Sequence, residues 1–417
     1  MNRLKRKIYY WAQKYLTGEK IKSVLLLILI FGFLVFGKMT MEYDWTELLD
    51  LGVLVSFAIV FLCDGIANLV LDRIEKVCED EAKLSVDYGS LVRRYSADDL
   101  IVAADDKSIK FPVIKLCDVY DGRIKIDDEP QRFYDLPKSV AAESKNIMKL
   151  SNHSVVYNQI NIRLNGLEID TDGTVTLHTG RTYYFDSLIT NRASDYRMED
   201  GKTIRNMYEP GPYIRPLEDS KFSNHLGFNG FVITSDGKIP FVYRSNDVSI
   251  GKGTWANSIG ASLKTKYAVE KGARHNFTLQ GLGNAIIKEI QDELGISCSG
   301  ISEYDAVKSV IAFYRDLVEA GKPQFLFCMK VPVTSEELEA AFTEKANKKS
   351  SGKGKVIQDG KIVEFFTVDE LKNAKITPGK FLVRNGGGEK EYKIMPSASA
   401  CIVMLISRLT AEEKDNK

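Results

Sequence analysis

The sequence predicts an α+β chain in two parts: a helical hairpin crossing a membrane, then a cytoplasmic domain of mixed strands and helices. The apolar residues concentrate near the N-terminus. After residue 151, short β-branched runs alternate with Asn-Gly, Asp-Gly and Thr-Gly turns. One later segment, GLGNAIIKEIQDELGI (residues 281–296), carries the period of a helix. At 417 residues the chain exceeds one compact core. With 44% hydrophobic and 27% charged residues, neither a disordered chain nor one mostly embedded in lipid fits. The formal charge of +1, from 57 basic and 56 acidic residues, excludes a general nucleic-acid coat, so no nucleic-acid polymer is expected as a partner. The six cysteines form no CxxC pair and no zinc spacing with histidine, and read as reduced thiols.

Residues 1–20 read as a basic cytoplasmic segment, with Arg3, Lys5, Arg6, Lys7, Lys14 and Lys20. Residues 24–37 (VLLLILIFGFLVFG) contain no polar side chain; extended to 21–39 the stretch can cross ~30 Å of hydrocarbon as a helix. Residues 40–47 then form a short external loop, and residues 48–70 a second span. The lysines and arginines before the first span, with Arg73 and Lys76 after the second, place both termini in the cytoplasm. Asp50, Ser56, Asp64 and Asn68 interrupt the second span. They suit either the contact face of an oligomer or two headgroup boundaries.

Residues 71–150 read as a connector with helical stretches at 71–84 and 136–150, and residues 151–417 as the cytoplasmic domain. Strands are expected at 160–164, 174–177 and 182–185. Residues 228–233 and 239–244 form a hairpin by the turn chemistry of Asp236-Gly237, and Trp255, Ser258 and Gly260 follow. In the 281–296 helix, Ile286, Ile290 and Leu294 line an apolar face, and Gly295 ends it in the left-handed region, with Ile296 tucking back. Residues 304–317 and 336–342 read as amphipathic helices, and 396–409 as a buried helix or strand. The lysine-rich stretch 345–361 is a solvated insertion, the Gly386–Gly388 triplet a mobile turn, and the scattered histidines carry no chemistry.

Glu289, Asp292 and Glu293 stand one helical turn apart on a second face. Carboxylates at that spacing can offer several hard oxygens to Mg2+ or Mn2+, although an acidic helical face is more often simply solvated.

The run from Lys288 to Ile296 resembles the second half of the Nudix box, Arg-Glu-aliphatic-x-Glu-Glu-x-Gly-aliphatic. The resemblance covers residues 225–300 at motif level and 151–410 as a domain. It implies a Nudix-like α/β/α sandwich, a cleft for nucleoside phosphates and divalent metal held by Glu289, Asp292 and Glu293. Gln280 and Arg274 stand where the family has glutamate and glycine, Lys288 replaces arginine, and Asp292 replaces a paired glutamate. With the membrane hairpin, the pattern resembles the two-transmembrane Nudix effectors of cyclic-oligonucleotide-based antiphage (CBASS) systems. That resemblance implies a multi-pass protein of the cell inner membrane that senses a cyclic nucleotide, oligomerises with itself and disrupts the lipid bilayer. Arg244 and Lys288 are the candidate ligand-binding cations. The alternative is a membrane-anchored, Mg-dependent pyrophosphohydrolase of nucleoside diphosphate derivatives, with Glu289 or Glu293 assisting as catalytic base.

Overall fold

The computed structural model describes residues 87–95, 100–103, 106–149, 158–244, 253–351, 360–385 and 388–415. Two compact units divide the chain. One comprises Ala82–Glu209 and Pro216–Lys417; of the other, Met1–Glu81 with Pro210–Arg215, only 210–215 are described. All elements below belong to the first unit.

In chain order the strands begin β1 (Leu100–Val102), β2 (Lys110–Asp118), β3 (Ile124–Phe133), β4 (Ile160–Ile169) and β5 (Val175–Tyr183). They continue β6 (Gly227–Ile233), β7 (Lys238–Arg244), β8 (Trp255–Ala256), β9 (Ile259–Ser262) and β10 (Val310–Asp316). The last are β11 (Lys322–Lys330), β12 (Gly360–Thr367), β13 (Lys375–Thr377), β14 (Lys380–Asn385) and β15 (Gly388–Lys393). The helices are α1 (Tyr88–Arg94), α2 (Lys138–Lys149), α3 (Tyr184–Ser187), α4 (Ile204–Tyr208) and α5 (Thr265–Ala268). They are followed by α6 (Leu279–Leu294), α7 (Glu303–Lys308), α8 (Ser335–Ser351), α9 (Val368–Lys372) and α10 (Pro396–Asp415).

A six-stranded sheet, β1-β2-β10-β11-β6-β9, organises the unit, and three three-stranded sheets surround it: β12-β7-β8, β13-β14-β15 and β3-β5-β4. Only the β11–β6 pair of the large sheet is parallel. Its two faces feed two cores, as a strand period of two demands. Phe228 and Val232 of β6, Phe313 of β10 and Phe325 and Phe327 of β11 pack with Ile286, Ile290 and Leu294 of α6. Phe231, Ile233, Tyr314 and Leu326 point the other way and pack with Cys401, Ile402 and Leu405 of α10.

This architecture corrects the expected fold class. The described chain is mixed α/β with several sheets, not an α+β pairing of a membrane hairpin with one sandwich. Among the described residues no helix is long and apolar enough to cross a membrane. Helix α10 is the longest at 20 residues, but its apolar centre fills the core and its last turns carry Arg408, Glu412, Glu413 and Lys414. The expected spans at 21–39 and 48–70, and the connector helix at 71–84, lie outside the described residues. A multi-pass inner-membrane placement therefore has no support in the structure.

Two local expectations also change. The turn at residues 234–238 forms, with Gly237 N–H donating to Thr234 O at 2.9 Å and Gly237 at a positive φ of 78°. Yet β6 and β7 do not pair as a hairpin; they enter different sheets. Pro240 has no N–H for a ladder. Instead the Ser258 hydroxyl accepts from Val232 N (3.0 Å) and donates to Pro240 O (2.7 Å), closing the gap between the splayed strands. The helix expected over 304–317 is the short α7 followed by strand β10. Tyr304, Val307, Ile311 and Tyr314 recur at helical spacing by coincidence, while every residue of β10 is buried on both faces. Residues 345–351 continue α8, and 352–359 lie outside the described residues, as do 386 and 387.

Candidate functional site

Helix α6 forms as the sequence predicts. Thr278 caps its start by accepting from Gly281 N, and Gly295, at φ 76°, ends it. Ile286, Ile290 and Leu294 are fully buried. Gly281 permits close packing, since a Cβ there would lie 2.0 Å from the Ala268 carbonyl oxygen of α5. The glycines at the start of this helix therefore serve packing.

The chain leading into α6 is fixed by a buried ion pair. Arg181 donates to both carboxylate oxygens of Asp128, at 2.7 and 2.8 Å, and to the carbonyls of Ala273 (2.6 Å) and His275 (2.8 Å). Asp128 also accepts from Phe277 N at 2.8 Å and from the Thr179 hydroxyl at 2.6 Å. Every strong hydrogen-bonding group of the pair is thereby satisfied.

The box residues disperse. Glu289 is buried and forms an ion pair with Lys264, Oε1 to Nζ at 2.6 Å. Burial pushes the Glu289 carboxyl above its ordinary value, against the pull of Lys264. Asp292 is exposed and accepts from the Tyr267 hydroxyl. Glu293 lines a cavity of about 210 Å3. Lys288 is exposed and donates to Gln291 Oε1 at 3.3 Å, away from that cavity. Among the described residues no three His, Cys, Asp or Glu side chains are grouped to hold a metal ion. A lysine occupies Glu289 and a phenol occupies Asp292, so these residues do not fit a bound Mg2+ or Mn2+.

The cavity gathers residues from many elements, Glu293 of α6 among them. The end of β7 supplies Arg244, β6 supplies Asn229, and β9 supplies Gly260 and Ser262, with Lys264 just beyond. The β10–β11 turn contributes Asp316, Glu319, Lys322 and Gln324, and the helical turn at Leu188–Arg192 contributes Arg192. Ser397, in the first turn of α10, completes the wall. A second buried arginine sets the β10–β11 turn: Arg205 donates to the carbonyls of Leu317 (2.7 Å) and Val318 (2.9 Å) and pairs with Asp195 at 2.5 Å.

Charges in the cavity are unequally satisfied. Glu319 sits between Lys322 (2.7 Å) and Arg192 (3.5 Å). Burial would raise its carboxyl, but Lys322, Arg192 and Arg244 outweigh burial and hold it below its ordinary value. Asp316 is 2% exposed, and burial, with repulsion from Glu319, pushes its carboxyl up to about 6. His225 donates to or accepts from Ser262 Oγ at 3.1 Å; burial and the nearby Lys322 and Arg192 hold its imidazole well below the usual histidine range, so it is neutral at pH 7. Lys264 stays cationic because Glu289, Glu293 and Asp292 overcome its burial. Arg244 also acts on Glu319, as one of the cations that hold that carboxyl down. Its Nε is buried and has no hydrogen-bond partner among the described residues.

Of the residues singled out in the sequence, Arg244 and Glu293 thus share one cavity, and Gly260 lies in its wall. Asp316, Glu319, Lys322 and Arg192 were not legible. Asp316, Glu319 and Lys322 repeat every third residue within a stretch already read as partly helical, whereas Ala320-Gly321 in fact turn the chain between two strands. No protein-family model and no curated protein matches this chain.

Proposed function

We propose that this chain is a nucleotide-recognition module in which the cavity beside α6 binds a ligand phosphate without cleaving it. The observation that carries the reading is Arg244, whose buried Nε has no hydrogen-bond partner among the described residues, at a cavity that also holds Lys264, Lys322 and Arg192 with the carboxylates Glu293, Asp316 and Glu319. A buried donor left unmade is costly, and a phosphate oxygen is the acceptor that matches a guanidinium best. The start of α10 at the same cavity adds the positive end of a helix dipole. The resemblance to the antiphage Nudix effectors directs the choice of ligand to a cyclic nucleotide, whose phosphodiesters carry the required charge.

Binding without hydrolysis is favoured because Glu289 and Asp292 are already engaged. Titrating the full-length protein with cyclic di- and trinucleotides, in the presence of magnesium, tests the proposal. Saturable binding of an unaltered nucleotide, lost in Arg244→Ala, is the expected result. Turnover of a linear nucleoside diphosphate derivative, abolished by Glu293→Gln, would replace this reading with a hydrolase.

A further inference from the structure

The polar floor of the cavity has spent its donors and kept its acceptors. Asn229 Nδ2 donates to the Tyr314 hydroxyl at 2.6 Å and to Gln324 Oε1 at 2.9 Å, which fixes the amide's orientation and leaves Oδ1 as the open atom. Gln324 Nε2 reaches toward Asp316 Oδ2 at 3.5 Å. Asp316 accepts from Val318 N at 2.9 Å and from Ser397, and an ionised carboxylate retains further lone pairs. A ligand resting on this floor must bring a hydroxyl or an N–H.

Gly260 shows where that ligand fits. A Cβ built there would lie 3.5 Å from Arg244 Nη1 and 3.6 Å from Asn229 Oδ1. The open space at this glycine is therefore shared by the Arg244 guanidinium and the Asn229 amide oxygen. A small group bearing both an anion and a donor bridges them.

Size decides which part of a nucleotide this is. A volume of about 210 Å3 falls below the ~300–1,000 Å3 of pockets that enclose a drug-sized ligand. A phosphate and its sugar suit that volume, with the base left at the cavity's open mouth. We infer that the cavity recognises a ribose phosphate, its phosphate on Arg244 and its free 2-hydroxyl donating to Asn229 Oδ1, and so rejects deoxyribose. This inference rests on the phosphate reading of the cavity above.

Calorimetric titration of the full-length protein with ribose 5-phosphate, 2-deoxyribose 5-phosphate and inorganic phosphate tests it. Ribose 5-phosphate should bind best and the deoxy sugar at least about tenfold more weakly, since a site built to bond a hydroxyl is left with unpaired acceptors. Asn229→Ala should bring the two sugars closer together while leaving the dependence on Arg244. Equal, Arg244-dependent binding of both sugars by the unaltered protein overturns the ribose inference and leaves the phosphate site standing. Failure of all three probes, or indifference to Arg244→Ala, overturns the phosphate site itself.

Discussion

Arg181 and Arg244 belong to the same folded unit, and they show two opposite ways to use a guanidinium. Arg181 is completely buried, faces Asp128 through two parallel bonds, and spends its remaining donors on backbone carbonyls ahead of α6. Arg244 is partly buried, ends strand β7 at a cavity, and has no hydrogen-bond partner for Nε among the described residues. The first is a finished structural joint. The second is an unfinished site that a ligand would complete. Buried polar groups in folded chains are usually paired, so one left open beside a cavity is a place to look for a ligand.

The contrast is broken most forcefully from the structural side. Arg181→Ala strips Asp128 of its partner in a site where neither side chain is more than 2% exposed. Removing one member of a buried pair typically costs about 3–5 kcal/mol. Urea unfolding should show a loss of that size, whereas Arg244→Ala should change stability by less than about 1 kcal/mol. Equal losses in the two variants would erase the distinction between joint and site.

Asp316 gives the next largest effect, and its sign is fixed. Its folded carboxyl titrates at about 6, above the ordinary 3.8, so between those values the folded state holds a proton that the unfolded state has released. The associated stabilisation is complete below about pH 4 and disappears as pH rises through 6. At about 1.36 kcal/mol for each pKa unit the loss is up to about 3 kcal/mol. Asp316→Asn lacks this titration, so its stability relative to the unaltered protein should improve as pH rises from 4 to 7. A constant difference over that range would show that Asp316 is not held protonated by its surroundings.

These two residues also mark how far the sequence could be read. Helix α6 was legible from Gly281 to its stop at Gly295, because Ile286, Ile290 and Leu294 repeat at its own period and Gly295 supplies the left-handed turn, whereas its cap at Thr278 was not read. Strands β6 and β7 were legible from their β-branched runs, but β4 and β5 only in part, because Asn165-Gly166 and Thr179-Gly180, expected as turns, lie within them and residues 184–185 open α3. The partners of these strands were not. Pairing depends on distant segments: β6 lies beside β11, nearly a hundred residues later, and Ser258 holds it apart from its sequence neighbour β7. The cavity was only half legible for the same reason. Arg244 and Glu293 stood near a recognisable motif, but Asp316, Glu319 and Lys322 reach it through a β-turn held by Arg205, and no local pattern records that long-range clamp.

On the ligand side, Arg244→Ala should weaken phosphate binding by at least tenfold, about 1.4 kcal/mol. Gly260→Val provides an independent route to the same result. The backbone at Gly260 is an ordinary strand, and a Cβ meets its nearest neighbours at unstrained distances. The larger side chain should fold normally and occupy the space between Arg244 and Asn229. Binding that survives Gly260→Val would place the phosphate elsewhere.

Lys288 should produce the smallest effect, and it separates two versions of the site. By motif position it is the cation of the Nudix-like box, yet it is exposed on α6 and donates to Gln291 Oε1, at 3.3 Å. Lys264, outside the box altogether, is the lysine that meets the helix's carboxylate. An exposed lysine bonded only within its own helix contributes a few tenths of a kcal/mol. Lys288→Ala should therefore leave unfolding within about 0.5 kcal/mol and phosphate affinity unchanged. If instead it weakened binding as strongly as Arg244→Ala, the outward face of α6 would be the recognition surface, and the cavity, Arg244 included, would be only a gap between sheets.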